Sequence, residues 1–286
     1  MTKVDQFESV FRSATRTVFQ PVPVELDSVL VVSDADGSAA EEFTARSHSF
    51  LAILDERENL RWVTVQGSEF HTVPDLLDRV ETERPGLICT HRHLHSESWR
   101  WPYTLGEYVD VLTQATTTPV LVMPHPERPE FQELAGRRPQ SVMAMTDHLT
   151  GDHRLVNYAA HFTQPEGRLL LGHVEDDAIF ERYMEAISKI STIDTDGARK
   201  EIRDRLLKDP QDYIDSCRKG LARIAPELTV EAMVTSGHHI RAYQRLIEEH
   251  EVDLLVMNTK DEDQLAMHGL AYSLAIELRT IPLLML

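Results

Sequence analysis

The stretch that decides the fold is LLVMNTKDEDQLAMHGLAYSLAIELRTIPLLML, residues 254–286. Its first apolar run has the length of a buried strand. An acidic turn follows, and a helical pattern then leads to a second apolar run after Pro282. Strand–helix–strand units of this kind build parallel α/β sheets. Because ligands of such sheets bind at the turns that follow the strands, the acidic residues 261–263 of this turn bear on function.

The chain carries a second copy of this unit. SVLVVSD at residues 28–34 matches SVMAMTD at residues 141–147, with Ser-Val, three apolar residues, Ser or Thr, and Asp in each. The later parts agree in spacing, because 13 positions separate the members of two glycine–proline pairs, Gly106–Pro119 and Gly269–Pro282. We therefore predict two copies of one α/β unit in tandem.

The repeat divides the chain into four predicted segments. These are an N-terminal docking helix, a shortened first domain, a proline-rich linker and a second domain, at residues 1–24, 25–124, 125–140 and 141–286. Strands that are apolar on both faces, alternating with helical patterns, predict parallel sheets covered by helices on each side.

The first copy is shorter than the second. Its WVTVQG segment aligns with AMVTSG of the second copy, so we expect four strands in the first sheet and five in the second. Residues 60–66 should lie beside residues 29–32, because a crossover to the adjacent strand is the short connection. Each copy ends in an apolar strand whose free edge would invite aggregation. We expect the strands TPVLVM and IPLLML to pair around a pseudo-twofold axis.

Composition excludes several functions. The 286 residues carry 29 Lys and Arg against 47 Asp and Glu, a formal charge of −18 that repels nucleic acid and anionic lipid. No apolar stretch has the length of a membrane span, and the first residues lack the apolar core of a signal peptide. Two cysteines make no disulfide framework, so we expect a cytoplasmic protein that binds neither nucleic acid nor membrane.

The order of these elements resembles the universal stress protein family, here as a tandem pair. The most specific segments are VTSG at residues 234–237, VDLLVMNT at residues 252–259, the helix with Gly269, and Pro282 before the last strand. The resemblance implies two doubly wound parallel sheets of the adenine nucleotide alpha hydrolase type, packed as an intramolecular pseudo-dimer. A homodimer is the alternative assembly. It also implies ligands beyond the carboxyl ends of the strands.

Nucleotide-binding members of that family carry a Gly-x2-Gly-x9-Gly-Ser/Thr motif, in which glycines let backbone amides approach phosphates. Only the last glycine of the motif is present in each copy, as Gly106 and Gly269. The first two glycines are replaced by Cys89 and Arg92 in the first copy and by Asn258 and Asp261 in the second. Carboxylates at residues 261–263 would repel a triphosphate. The resemblance therefore implies degenerate sites with weak or lost nucleotide binding.

Further candidate ligand residues follow the first strand of each copy and the third strand of the first copy. Asp34 and Asp147 correspond to the family aspartate near the adenosine, and each could instead cap the helix that follows. The segment THRHLHSESWRWPY, residues 90–103, offers cationic and aromatic side chains for a planar anion, namely Arg92, Trp99 and Arg100. We expect any residual anion binding in this segment.

The same segment could also form a metal site, because His91, His93 and His95 alternate along it. No acidic or cysteine ligand at a standard zinc spacing accompanies them, so we expect no metal and exposed loop histidines instead. No Ser-His-Asp order, HExxH, Walker loop or CxxC motif occurs. We predict a non-catalytic stress-response regulatory or protective protein that has no cofactor and acts through protein partners, whose identity the sequence leaves open. The alternatives are an ATP- or AMP-binding protein with slow ATPase activity and a histidine-dependent metal-binding module.

Overall fold

The computed structural model describes residues 17–57, 59–101, 103–146, 149–259 and 269–286, with the side chains of Trp99 and Leu270 left out. The described strands are β1 Ser28–Val32, β2 Arg61–Val65, β3 Leu87–His91, β4 Val120–Met123, β5 Ser141–Met145, β6 Arg168–Asp176, β7 Thr229–Gly237, β8 Leu254–Met257 and β9 Leu283–Met285. The helices are α1 Gly37–Phe50, α2 Ala52–Arg57, α3 Val73–Glu83, α4 Glu107–Ala115, α5 Pro129–Glu133, α6 His153–Phe162, α7 Asp177–Ser188, α8 Thr195–Leu221, α9 His239–Glu249 and α10 Gly269–Glu277.

The strands form one mostly parallel sheet in the order β2-β1-β3-β4-β9-β8-β5-β6-β7. We call β1–β4 with their helices the first half and β5–β9 with theirs the second half. The single antiparallel pairing in this sheet joins β4 to β9, with Val120 opposite Met285 and Val122 opposite Leu283. The predicted pairing of the two terminal apolar strands is confirmed, and it joins the two predicted sheets into one. The division into domains at residues 125–140 stays a prediction.

Strand count and neighbours in the first half agree with the prediction. The first half contributes four strands, and β2 pairs in parallel with β1, with Val29 opposite Trp62 and Val32 opposite Val65. The segments WVTVQG and AMVTSG align in sequence, but they occupy different positions in the sheet. WVTVQG contains β2, which lies next to the opening strand as β6 does in the second half, whereas AMVTSG belongs to β7 at the far edge. Among the described strands of the first half, none takes the place of β7.

Helices cover both faces of the sheet because strand residues alternate between two buried clusters. One cluster joins β1 residues such as Val29 to α1, α6 and α8, and the other joins Leu30 to α3, α4, α9 and α10. Each cluster includes residues of both halves, so the faces are continuous across the β4–β9 junction. This is the layering that strands buried on both sides require.

The two predicted connecting segments differ from expectation. Residues 17–24 form no helix but an irregular segment on the second half, where Phe19 is buried and its N–H donates to Oγ of Ser216 at 2.9 Å. Residues 1–16, where most of the docking helix was predicted, lie outside the described residues. The linker contains α5, and the ring of Phe131 stacks on that of Phe43 in α1 at 5.4 Å. The segment 125–140 thus contributes Phe131 and Leu134 to the buried core, whereas most of its other residues are exposed or half-buried.

Candidate functional site

The candidate site lies at the carboxyl ends of β1 and β3, which are neighbours in the sheet. Asp34 follows β1 directly after Ser33, and the loop that starts at Arg92 follows β3. Carboxyl ends of adjacent parallel strands share one edge, which is where doubly wound sheets hold ligands. The sheet therefore brings together Asp34 and the histidine segment that the sequence singled out.

Asp34 contacts two histidines, His91 at the end of β3 and His95 in the loop that follows. Its Oδ2 accepts the backbone N–H of His95 at 2.9 Å, and its Oδ1 lies 3.1 Å from Nε2 of His91. Burial opposes ionisation of Asp34, but the contact with His91 and the N–H of His95 outweigh it and lower the pKa to about 2. Asp34 does not cap α1, whose N-cap residue is Asp36, so the capping role considered for it is wrong. Its carboxylate holds the β3 loop against β1.

His91 is buried in the described structure. Its Nδ1 lies 3.0 Å from the carbonyl oxygen of Arg92, and its ring packs edge-on against Phe43 and His125. Burial, with a further contribution from the charge of His91, lowers the pKa of His125 to about 3. His91 and His93 have 0% and 3% exposure, so the expectation of exposed loop histidines is wrong for these two. Only His95 of the three is exposed.

Arg92 points away from the solvent edge. It is 3% exposed, and its guanidinium donates to the carbonyl oxygens of Ala275 and Leu278 at the end of α10 in the second half. A third contact reaches the carbonyl of Ile276 at 3.4 Å. The last carbonyls of a helix lack partners within the helix and carry its negative dipole, so a cation is favourable there. The guanidinium expected near a bound anion is therefore engaged in joining the two halves.

The β3 loop is compact because it turns back on itself. His93 and His95 both have positive φ, 58° and 55°, and the N–H of His93 donates to the carbonyl of Leu105 at 3.0 Å. Gly106, the N-cap residue of α4, has φ 95°, and a Cβ there would lie 2.7 Å from Cα of His93. Gly106 is required by this close approach of two backbone segments, a role that needs no phosphate.

Side chains occupy the space above the loop. The ring of His95 packs against Phe70 at 4.7 Å and Tyr108 at 5.7 Å, and it lies 6.4 Å from the ring of His71. The hydroxyl of Tyr108 donates to the carbonyl of His71 at 2.9 Å. Nothing in the alternating histidine pattern indicated these partners, because Phe70 and Tyr108 come from other turns of the chain.

The remaining residues of the segment lie at the surface. Arg100 pairs with Glu97 at 2.8 Å, and both side chains are more than half exposed. Trp101 and Tyr103 are 59% and 73% exposed, and the backbone of Trp99 belongs to a 3-10 turn over Glu97–Arg100. Arg100 and Trp101 are thus accessible, whereas Arg92 is not. Binding of an anion by these residues stays a prediction.

The second half shows a different arrangement at the corresponding turn. Asn258, the residue after β8, donates through its side-chain amide to Asp152, the N-cap of α6, whose other oxygen accepts the N–H of Leu155 at 2.9 Å. Sequence reasoning missed Asp152, although an acidic residue directly before a helix is a common capping signal. Gly269 is the exposed first residue of α10. Asp147 and the acidic residues 261–263 lie outside the described residues, so their predicted effect on a nucleotide stays a prediction.

Among the residues that the structure describes, no group of three or more His, Cys, Asp or Glu side chains could hold a metal ion. The same residues include no helix that is both long and apolar enough to cross a membrane. Both cysteines are buried, and burial raises the pKa of Cys89 and of Cys217 to about 12.

Comparison with known proteins connects this architecture to solved structures. A candidate universal stress protein from Pseudomonas aeruginosa UCBPP-PA14 is 14% identical with a TM-score of 0.50, over 92% of this chain and 94% of that one. A protein of unknown function from Pseudomonas aeruginosa PAO1 is 13% identical with a TM-score of 0.49, over 92% and 93%. A universal stress protein from Archaeoglobus fulgidus DSM 4304 is 12% identical with a TM-score of 0.46, over 91% and 85%.

No protein-family model matches the chain, and no curated protein sequence matches it significantly. At 14% identity the likeness to the first of these structures concerns the fold alone. The chain therefore has the α/β fold of the universal stress proteins. This confirms the predicted fold class, with the two predicted sheets joined into one.

Proposed function

We propose that this protein is a cytoplasmic regulatory or protective protein of the universal stress protein type, which does not bind or hydrolyse nucleotide in its first half and acts through protein partners. The observation that carries the proposal is the engagement of Asp34. Its two oxygens are already in contact with His91 and with the N–H of His95, so the edge where such folds hold a ligand is closed by the protein's own loop.

Opening this edge for a ligand would break favourable contacts. A nucleotide that used Asp34 would displace the N–H of His95 and expose the packing of His95 on Phe70. Recruiting Arg92 would leave the carbonyls of Ala275 and Leu278 buried without their donor, at about 1–3 kcal/mol for each buried unpaired group. These costs would reduce the affinity for any ligand at this edge.

Charge at the edge also disfavours a phosphate. Asp36 lies at the start of α1, where it accepts the N–H and the hydroxyl of Ser68 at 2.9 and 2.8 Å. These hydrogen bonds lower its pKa and keep it ionised. Asp34 and Asp36 thus place two carboxylates at this edge, and both would repel a phosphate.

The state of the two thiols and of the hydroxyl next to His91 supports the non-catalytic part of the proposal. Burial holds both thiols in the protonated form, which is a poor nucleophile. The Thr90 hydroxyl next to His91 is buried and donates to the carbonyl of Val32 at 3.0 Å. The Asp34–His91 pair therefore orients the loop, and the nearby buried hydroxyl is already engaged in a structural hydrogen bond.

Calorimetric titration of ATP and AMP tests the proposal. We expect no binding tighter than about 100 µM to the wild type, and no phosphate release above the buffer rate. Asp34→Ala and Glu133→Ala provide the matched pair, because Asp34 lies at the edge whereas Glu133 is an exposed residue at the end of α5. Tight binding that Asp34→Ala abolishes and Glu133→Ala preserves would show that the first-half edge is an open nucleotide site, contrary to the proposal.

A further inference from the structure

The two outer strands of the sheet differ in what lies beyond them. In the second half, β7 occupies the position outside β6, but in the first half no described strand pairs with the outer side of β2. The chain thus shows, within one molecule, the same fold with and without its outermost strand. The position that is vacant beside β2 has the geometry to accept a strand.

The backbone of β2 presents hydrogen-bonding groups in this direction. The N–H of Arg61 donates to the carbonyl of Asp27, and the N–H of Ser33 donates to the carbonyl of Val65. Residues 61, 63 and 65 therefore face β1. Because these groups alternate in direction along a strand, the N–H and C=O groups of Trp62 and Thr64 point outward.

The opposite edge of the sheet is better protected. In β7 the N–H of Thr229 donates inward to the carbonyl of Gly167, so Val230 and Ala232 face outward. The carbonyl of Val230 accepts Nε of Arg218 from α8 at 3.1 Å. An arginine thus blocks part of the β7 edge, and charged side chains are a usual way to prevent strand addition. Among the described hydrogen bonds, the Trp62 and Thr64 backbone has no such partner.

The two sides of the β2 edge differ in chemistry. On the α1 side, the half-buried ring of Trp62 packs against His48, and a groove of about 480 Å³ is lined by polar and small residues, namely Glu41, Thr44, Ala45, His48, Thr64 and Gln66. On the other side, the half-buried side chains are apolar, namely Val63, Val73 and Leu77. A strand added here would project alternate side chains to a polar side with a carboxylate and to an apolar side.

We propose that the open edge of β2 binds an extended segment of a partner protein in which basic and apolar residues alternate. The apolar side chains would pack on Val63 and Leu77, the basic ones would approach Glu41, and the main chain would pair with Trp62 and Thr64. The net charge of −18 adds attraction for a basic partner. The inference rests on the proposed partner-directed function and names the surface that carries it.

Fluorescence anisotropy with a labelled hexapeptide of alternating lysine and valine tests the inference on the full chain. We expect saturable binding to the wild type, and binding at least about tenfold weaker for the glutamate–valine peptide. An added strand directs every second N–H toward β2. N-methylation of one residue set should therefore weaken binding about tenfold, whereas methylation of the other set should change it less than about twofold.

Two proline variants locate the peptide. Thr64→Pro removes an outward N–H from β2, and Ala232→Pro removes an outward N–H from β7. We expect about tenfold weaker binding for Thr64→Pro and less than about twofold change for Ala232→Pro. The methylated peptides keep the test valid if Thr64→Pro does not fold.

The inference is wrong if the wild type binds no peptide up to about 1 mM, or if both methylated peptides bind equally. It is also wrong if Ala232→Pro abolishes peptide binding and Thr64→Pro does not. A fourth contrary result is a wild-type homodimer that Thr64→Pro dissociates. The last would mean that a second copy occupies the edge. Because ATP binding is measured separately, failure of the peptide to bind would leave the proposal for the first-half ligand edge standing.

Discussion

The guanidinium of Arg92 in the first half donates to the carbonyl oxygen of Leu278 in the second half. The two residues are 186 positions apart in the chain, and the antiparallel β4–β9 pairing brings their elements together. Burial, with the charges of Arg279 and Arg128 nearby, lowers the pKa of Arg92 to about 9, so the group remains charged at neutral pH. Arg92 therefore stabilises the junction between the halves.

Replacing Arg92 should destabilise the whole molecule. We expect Arg92→Ala to lower the free energy of unfolding by roughly 3 kcal/mol, because the carbonyls at the end of α10 lose their buried donor. Urea denaturation measures this change. Arg100→Ala is the matched control and should change stability by less than about 0.5 kcal/mol, since its ion pair is exposed. Equal stability of the two variants would contradict the structural role of Arg92.

Stability should fall as the solution becomes acidic. Burial lowers the pKa of His125 to about 3, so its neutral form contributes stability that is fully present above about pH 6.5 and is lost as the pH falls toward 3. Asp34, with its pKa lowered to about 2, contributes stability that is present above about pH 4 and is lost below it. Both groups act in the same direction.

His125→Asn isolates the histidine contribution. The N–H of Glu127 donates to Nδ1 of His125 at 3.2 Å, and an asparagine oxygen can accept the same bond. We expect wild-type unfolding to take up about one proton more than unfolding of the variant between about pH 4 and 6. Urea denaturation at several pH values measures the difference. Identical pH slopes for the two proteins would mean that His125 does not titrate on unfolding.

The two glycines that the sequence treats as equivalent should respond differently to alanine. Gly106→Ala should lower stability by about 2 kcal/mol or more, because its φ of 95° is strained for alanine and the new Cβ would meet His93 at 2.7 Å. Gly269→Ala should be neutral or stabilising by up to about 1 kcal/mol, because a Cβ at this position would come within 4 Å of no other described part of the fold. Thermal unfolding of both variants gives the comparison. A similar loss of stability in both variants would indicate that the backbone or surroundings of Gly269 also exclude a side chain.

The linker should contribute to stability like a core element. Phe131→Ala should cost about 3 kcal/mol, because the ring is 1% exposed and stacks on Phe43. Glu133→Ala, at the end of the same short helix, should change stability by less than about 0.5 kcal/mol. Chemical denaturation distinguishes the two. A flexible linker would instead give two variants of equal stability.

The sequence by itself determined the strands and how many each half contributes. Apolar runs of strand length and the repeated Ser-Val…Asp pattern are local signals, so strands can be recognised from them before the fold is known. The pairing of the terminal strands β4 and β9 was also predictable, because two apolar edges in one chain are best covered by each other. The crossover rule correctly placed β2 beside β1, but the alignment of β2 with β7 did not indicate that β2 takes the position of β6. Parallel strands with similar apolar patterns are interchangeable in such an alignment.

Only the tertiary structure decided what the candidate residues do. Arg92 was selected as a ligand residue for its charge in the segment 90–103, and Asp34, Asp147, Gly106 and Gly269 were selected because they match residues of the family motif. The structure places Arg92 against α10, Asp34 against the β3 loop and Gly106 against His93. These partners are distant in the chain or depend on a left-handed backbone. Side-chain direction and burial arise from packing between elements, and no local pattern of residues encodes them.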